Sequence, residues 1–174
     1  ILDVGCGVGD EVAQLEQCGA EVWGIDVSEE MIALTRRRHP ELSNLSIQDF
    51  TSTNFEDSSF DMVVSKYALH YAENLEPVLH EIRRILKPGG LFLYLAAHPQ
   101  LQGVFGEGEH TTMPLFGGEP IVSFPSHTFA EYFSDAVLQH FDLLSFREGP
   151  SAKVGGKSVP YFFQLIFQLL KPKR

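Results

Sequence analysis

Cysteine is scarce in this chain: 174 residues carry two, Cys6 and Cys18, and neither has company at metal-ligand or disulfide-framework spacing. That argues against a secreted disulfide scaffold or a cysteine-held metal, and a reducing, cytoplasmic setting is expected. Long apolar runs are missing too. The longest candidate, Tyr161 to Leu170, is too short for a membrane span and is interrupted by Gln164 and Gln168, and no signal peptide is expected. Positive charge is in short supply, with 13 Lys and Arg against 23 Asp and Glu and a net charge of -10, which argues against general affinity for a nucleic-acid backbone. The one basic run, Arg36-Arg37-Arg38, falls at the end of an expected helix, where it complements the helix dipole. No internal repeat or domain boundary is visible. At 44% hydrophobic residues the chain is expected to form one domain, residues 1–174, with a sizeable core.

Against these absences stands one dense stretch, Asp3-Val4-Gly5-Cys6-Gly7-Val8-Gly9, directly after the apolar start Ile1-Leu2 and followed by Gly24-Ile25-Asp26. It reads as a strand, a ligand loop and a helix start. Gly5, Gly7 and Gly9 allow positive φ and a close backbone approach to a ligand that a Cβ would push away. Asp26, at the end of the next strand, is placed to accept both hydroxyls of a ribose. A dinucleotide fingerprint needs G-x-G-x-x-G, and here its third glycine falls on Asp10. Asp3 would repel a pyrophosphate but suits a ligand that carries an ammonium group.

Strands and helices are expected to alternate. Strands are read at Ile1 to Val4, Glu21 to Asp26, Leu45 to Gln48, Phe60 to Ser65 and Leu91 to Ala96, with Met62-Val63-Val64 typical of a strand buried on both faces. Helices are read at Asp10 to Cys18, from Ser28 as N-cap to before Pro40 with an apolar stripe of Met31, Ile32 and Leu34, and at Leu75 to Leu86, ended by Pro88-Gly89-Gly90. Thr128 to Gln139 reads as one further helix, with strands at Phe141 to Arg147 and Tyr161 to Leu170. Such alternation implies right-handed crossovers, a mostly parallel sheet with helices on both faces, and a ligand at the carboxyl ends of the strands. The glycine loop, Asp26, Asp49 and Ser65 all lie at those ends.

The run Ile1 to Gly9 resembles the first motif of the class I S-adenosylmethionine (SAM)-dependent methyltransferases. Asp61 to His70 and Leu86-Lys87-Pro88-Gly89-Gly90 resemble later motifs of that family, and the resemblance covers roughly residues 1–97. It implies a Rossmann-like, doubly wound α/β fold with a mostly parallel seven-stranded sheet and an antiparallel C-terminal hairpin. It implies SAM as cofactor and S-adenosylhomocysteine (SAH) as product. Asp3 would meet the methionine ammonium and the backbone of Gly5, Cys6 and Gly7 would pass beneath methionine and ribose, with Gly9 completing the loop. Asp26 would bind the ribose, Met31 would pack on the adenine after Val27, and Asp49 and the amide of Phe50 would face its edge. Ser65 would offer a carbonyl to the ammonium, with Lys66 and His70 close by. Met31 can equally be helix core, and Asp49 can equally cap a turn before Thr51-Ser52. The chain opens inside the first strand without an initiator methionine, so a preceding piece of a longer protein is expected.

Methyl transfer needs a general base only when the acceptor is protonated, and His70, His98 and His127 are the catalytic candidates, with His110 a further imidazole. Tyr67 and Tyr71 follow strand four, where an aromatic face stabilises a sulfonium by roughly 0.5–2 kcal/mol. Residues 98–126 read as a substrate loop with little periodicity, whose Phe105, Phe116 and Phe124, with Tyr132 and Phe133 beyond it, point to an apolar or aromatic small-molecule acceptor or else complete the core. The remainder, 127–171, is expected to be a helix and hairpin. Small-molecule O-, N- or C-methylation is the leading reading; Ser65-Lys66-Tyr67-Ala68 lacks the Asn-Pro-Pro-Tyr type motif used on planar amides and exocyclic amines. A non-catalytic SAM-binding domain and a nicotinamide dehydrogenase are the alternatives. No metal, nucleic-acid or membrane site is expected, and oligomeric state is not legible.

Overall fold

The structure, a computed structural model, describes residues 1–107, 109–114, 121–154 and 157–172. The chain runs β1 (Leu2–Val4), α1 (Asp10–Gln17), β2 (Trp23–Asp26), α2 (Glu29–Arg38), β3 (Leu45–Ile47), β4 (Phe60–Lys66), α3 (Leu75–Ile85) and β5 (Leu86–Ala97). It continues with α4 (Gln102–Phe105), β6 (Gly106–Glu107), β7 (His110–Pro114), β8 (Ile121–Pro125), α5 (Phe129–Tyr132) and α6 (Asp135–Leu138). It closes with β9 (Phe141–Glu148), β10 (Ser151–Val154), β11 (Lys157–Pro160) and β12 (Phe162–Leu169).

Seven strands form one sheet in the order β3-β2-β1-β4-β5-β12-β9. The first five pair in parallel, and β12 lies antiparallel between β5 and β9. The expected α/β architecture is therefore present, including the inserted last strand. Two separate apolar clusters give the sheet its two covered faces: Val12, Ala13 and Ile32 from α1 and α2 meet Cys6, Val22 and Leu45, while Val78, Ile82 and Ile85 from α3 meet Leu2, Val4, Ile25 and Val63. α3 forms because Leu75, Val78, Leu79, Ile82 and Ile85 recur at helical spacing and all five are buried. Asn74 caps it by accepting from the Glu76 amide at 2.9 Å.

Several local expectations give way. α3 does not end on a glycine cap: Leu86 turns directly into extended backbone (φ -76°, ψ 137°) and starts β5. Phe60 pairs with Leu86 and Met62 with Leu91, so the ladder skips the Lys87 to Gly90 segment, where Gly89 takes φ +86°. The core face of α2 is carried by Ile32 and Thr35, while Met31 is exposed. The single helix expected from Thr128 to Gln139 is two short ones, because Ser134 is extended (φ -61°, ψ 162°) and restarts the chain as the N-cap of α6. Thr128 caps α5 in a reciprocal box with Glu131. Within the 98–126 segment, β6, β7 and β8 form a small antiparallel sheet. β9 and β12 are joined through the additional β10–β11 hairpin.

The C-terminal half of the core is aromatic. Phe163, fully buried, has ring contacts to Tyr94, His98, Phe129, Tyr132 and Phe146 at centroid distances of 4.9–6.4 Å. Among the described residues no helix is long and apolar enough to cross a membrane, which says nothing of a β-barrel. Phe163→Ala should cost about 3–5 kcal/mol of unfolding free energy, read by urea denaturation, because it removes a fully buried ring and its aromatic contacts and leaves a cavity.

Candidate functional site

β1 and β2 are parallel with Val4 opposite Ile25, so the loop after β1 and the turn after β2 emerge side by side. The loop is tied there by its own backbone: the Gly5 and Cys6 amides both donate to the Ile25 carbonyl, at 2.8 and 2.9 Å. The Gly7 amide donates to Asp26 Oδ2 and the Ser28 amide to Asp26 Oδ1, both at 2.9 Å. Thr35, buried on α2, donates its hydroxyl to the Gly7 carbonyl at 2.7 Å. This bracing threonine was missed by sequence reasoning; a polar residue on the core face of α2 is the signal that could have found it.

The three glycines have different work. All take positive φ, 73° at Gly5, 53° at Gly7 and 81° at Gly9. A Cβ on Gly5 would lie 2.1 Å from Ala68 Cβ, and one on Gly9 would lie 2.2 Å from Thr35 Cγ2. A Cβ on Gly7 would meet nothing within 4 Å. Gly5 and Gly9 therefore serve packing, and Gly7 faces the open space that a ligand can enter. Because the Gly5, Cys6 and Gly7 amides are all committed, the loop offers close approach rather than donors for a phosphate. Cys6 is buried and its thiol is pushed up to about 12 by burial and then by the neighbouring Asp3 and Asp26 charges, so it is an uncharged wall.

Asp3 is the electrostatic centre. It is 3% exposed, and among the described residues no donor reaches its carboxylate. Burial, and then the Glu11 charge, raise its carboxyl to about 7, with Lys66 opposing and Asp26 adding to the rise. Lys66 relieves it only in part, since its ammonium pairs with Glu11. A cation brought beside Asp3 would remove this penalty, which is the chemistry of an ammonium site.

Asp49 is exposed, and its Oδ1 accepts from the Thr51 amide at 2.8 Å and the Thr51 hydroxyl at 2.7 Å, so the turn-capping role is real. With Val27, Phe50, Thr51, Ala72 and Pro77 it lines a cavity of about 310 Å³. Met31 is not among the lining residues; its amide donates to Ser28 Oγ at 3.2 Å. Ser65 is fully buried with its hydroxyl unpartnered.

Beyond Ser65 the chain leaves the sheet through Tyr67, a non-glycine residue at φ 55° whose amide still donates to the Leu95 carbonyl at 2.8 Å. A second cavity of about 200 Å³ opens here, walled by Tyr67, His70, Tyr71, Met113, Phe124 and Tyr161 among others. Burial raises the Tyr67 and Tyr71 phenols, so neither is a base near neutral pH. Of the expected loop aromatics, Phe124 lines this cavity, Phe105 does not, and Phe116 lies outside the described residues. Tyr132 and Phe133 pack into the core, Tyr132 on Tyr94 and Phe163 and Phe133 on Phe167. Met113 and Tyr161 went unnoticed as wall residues because the surrounding strands are too short to show a period.

The histidines separate by their partners. His98 Nδ1 accepts from the Gln100 amide at 3.1 Å, so its Nε2 carries the proton and donates to Glu148 at 2.9 Å. His127 donates Nε2–H to the Ala72 carbonyl at 2.8 Å and sets Nδ1 against Glu131 at 3.2 Å. Both rings are buried and committed to structure, whereas His110 is exposed, 3.8 Å from Glu73. His70 is 4% exposed, its Nδ1 has no partner, and burial and then His127 push it down to about 4, so it is neutral. Among the described residues no group of three His, Cys, Asp or Glu side chains is gathered to hold a metal. A groove of about 670 Å³ beside α3, walled by the Glu81–Arg84–Asp57 network, shares Thr51 and Pro77 with the cavity at Asp49 and holds none of the residues the sequence put forward for cofactor or catalysis.

A mostly parallel seven-stranded sheet with an antiparallel inserted last strand and a positive-φ glycine turn at its carboxyl edge defines the class of SAM-dependent methyltransferase folds. Residues 2–94 match the family described as Methyltransferase domain, and the chain belongs to that family. It is 38% identical over 106 residues to a demethylmenaquinone methyltransferase of Symbiobacterium thermophilum, covering 56% of this chain and 42% of that protein. It is 32% identical over 97 residues to a sterol 4-C-methyltransferase of Caenorhabditis elegans, covering 53% of this chain and 29% of that one. The chain thus spans less than half the length of these curated relatives. A SAM-dependent methyltransferase of Methanosarcina mazei superposes with a TM-score of 0.78 at 22% identity, over 98% of this chain and 92% of that one. One from Mesorhizobium loti gives 0.72 at 21%, over 96% and 89%, and both likenesses concern the fold.

The buried acid sets a pH dependence. The Asp3 carboxyl titrates near 7 in the fold against 3.8 in the free side chain, so between these values the unfolded chain holds fewer protons than the folded one. Stability should therefore fall as pH rises through this window, and Asp3→Asn should flatten that part of the profile in urea titrations from pH 4.5 to 8.

Proposed function

We propose that this chain transfers a methyl group from SAM to an oxygen, nitrogen or carbon atom of a small organic molecule with an apolar or aromatic body. The observation that carries the reading is a junction: Ala68 packs against Gly5, so the cofactor loop touches the segment that begins the apolar cavity at Tyr67 and His70. Asp3 takes the ammonium, Asp26 the ribose hydroxyls, and Val27, Asp49 and Phe50 the adenine. Ser65 and Lys66 border the methionine end, and Met31 stands at the rim. Each Asp26 oxygen accepts one amide and retains a lone pair, so bracing the loop and binding a ribose are compatible. When bound, SAM supplies a methyl on a positively charged sulfur.

The residues of the chain contribute position and exclusion of water. Walls of Tyr67, Tyr71, Met113 and Phe124 hold an apolar acceptor in line and keep solvent out, which serves a displacement whose charge is dispersing. Relatives named for demethylmenaquinone and sterols are in keeping with an acceptor of this kind. The chain works as one domain, with a cofactor half at 1–97, an acceptor segment at 98–126, and 127–171 closing the sheet. A nicotinamide reading is set aside by the family match and by Asp10 in place of a third glycine.

Calorimetry with SAH and with NAD tests the cofactor. SAH should bind and NAD should not; tight NAD binding without SAH binding overturns the reading. Asp26→Asn, which keeps one acceptor oxygen for the loop, should weaken SAH binding by about 1.5–3 kcal/mol. Unchanged affinity would remove Asp26 from the site, and binding without methyl transfer to any compound in a broad metabolite screen would leave a cofactor-binding domain only.

A further inference from the structure

Three buried imidazoles stand near the acceptor cavity, and their hydrogen bonds sort them. His98 spends its one lone pair on the Gln100 amide, and His127 has both nitrogens against acceptors, Ala72 and Glu131. His70 alone of the three keeps an uncommitted nitrogen pair, and its ring lines two cavities at once. One is the apolar cavity of about 200 Å³. The other, about 10 Å³, lies among His70, His98, Thr111, Ser126 and His127, and its volume is the room one water needs. Thr111 and Ser126 share a hydroxyl hydrogen bond of 2.8 Å there and have acceptor capacity to spare.

We propose that His70 is the catalytic proton acceptor for a hydroxyl group on an aromatic ring, and that one water in the small cavity accepts a hydrogen bond from Nδ1–H and so leaves the Nε2 lone pair for the acceptor. This rests on the methyltransferase reading above and narrows its substrate to a phenol. The apolar walls take the ring, and among the lining side chains a neutral imidazole is the group with a nitrogen lone pair for a hydroxyl proton. Tyr67 and Tyr71 remain protonated phenols and cannot serve; His98 and His127 are held by Glu148 and Glu131. In the step, the acceptor oxygen attacks the methyl carbon, the O–C bond forms and the C–S bond breaks with its electron pair left on sulfur. The hydroxyl proton passes to His70 Nε2 as the O–C bond forms, when the oxygen becomes strongly acidic and even an imidazole held low by burial accepts it, and afterwards to solvent.

The test uses 1-naphthol, catechol and hydroquinone as probes beside benzylamine and benzoate, with SAM and the full chain. Methylation of the phenols is expected, with His70→Gln and His70→Phe lowering kcat about 100-fold or more while SAH affinity stays within about twofold. Residual activity of His70→Phe should climb with pH as the phenol ionises by itself, while the unaltered chain stays level over the same range. Thermal melting of His70→Gln identifies a folding defect, and the pH profile separates proton transfer from packing. Turnover of benzylamine or benzoate in place of the phenols overturns the inference and leaves the methyltransferase reading standing, as does a parallel pH profile in the variants or unchanged kcat. Failure to bind SAH overturns both.

Discussion

The Asp26 carboxylate holds one oxygen against the Gly7 amide and the other against the Ser28 amide, and the geometry of the whole carboxyl edge follows from that bridge. Three successive positive-φ glycines make a segment with large conformational entropy to lose, and nothing in their side chains can hold it. The restraint comes from outside: the Ile25 carbonyl under Gly5 and Cys6, Asp26 under Gly7, and Thr35 above it. Through Ser28 the same acid sets the start of α2, whose N-cap hydroxyl accepts from Met31 and whose buried face returns Thr35 to the loop. Loop and helix are thus one cooperative unit, so a ligand at Asp26 acts on both ends of it.

Asp3 is placed at a cost to stability, and the proposed ammonium site would account for it. A carboxyl buried among Glu11 and Asp26, with the nearby lysine paired to Glu11, is a poor choice for a stable fold. Replacing it by a neutral isostere would remove a penalty that the chain carries only without a cation. On the proposed reading, a cofactor ammonium beside Asp3 would stabilise twice, by its own contacts and by relief of that penalty. The adjacent thiol of Cys6, pushed up in the same field, contributes no charge.

What was legible in the sequence was what local chemistry decides. β1, its glycine turn, the Ser28 cap and the apolar stripe of α3 each rest on residues within about ten positions of one another, and the structure has them where the pattern put them. Residues 98–126 were opaque because β7 and β8 are five-residue strands whose meaning lies in the cavity they cover, so no period builds up. The Thr128 to Gln139 stretch looked like one helix because its composition allows one, while Ser134 prefers to cap and breaks it. The histidines were opaque for a different reason. Their roles are set by partners far along the chain, Glu148 for His98 and Ala72 for His127, which position along the sequence does not reveal.

Tyr67 shows how the two halves of the site are held to one geometry. Its left-handed backbone costs on the order of 1–3 kcal/mol for a residue with a side chain, and glycine would avoid the cost. A glycine would also remove the ring that walls the acceptor cavity. The strain persists because both sides of the residue are pinned: its amide completes the ladder to Leu95, and the next residue, Ala68, is seated against Gly5 where no Cβ intervenes. A side chain at Gly5 would therefore disturb more than the cofactor loop. It would push Ala68 away, release the constraint that keeps Tyr67 turned out of the sheet, and carry His70, three residues on, out of line with the cavity. Glycine loop and cavity wall meet where Ala68 sits against Gly5, so on the proposed reading the glycine nearest the sheet bears on acceptor geometry as well as on cofactor fit.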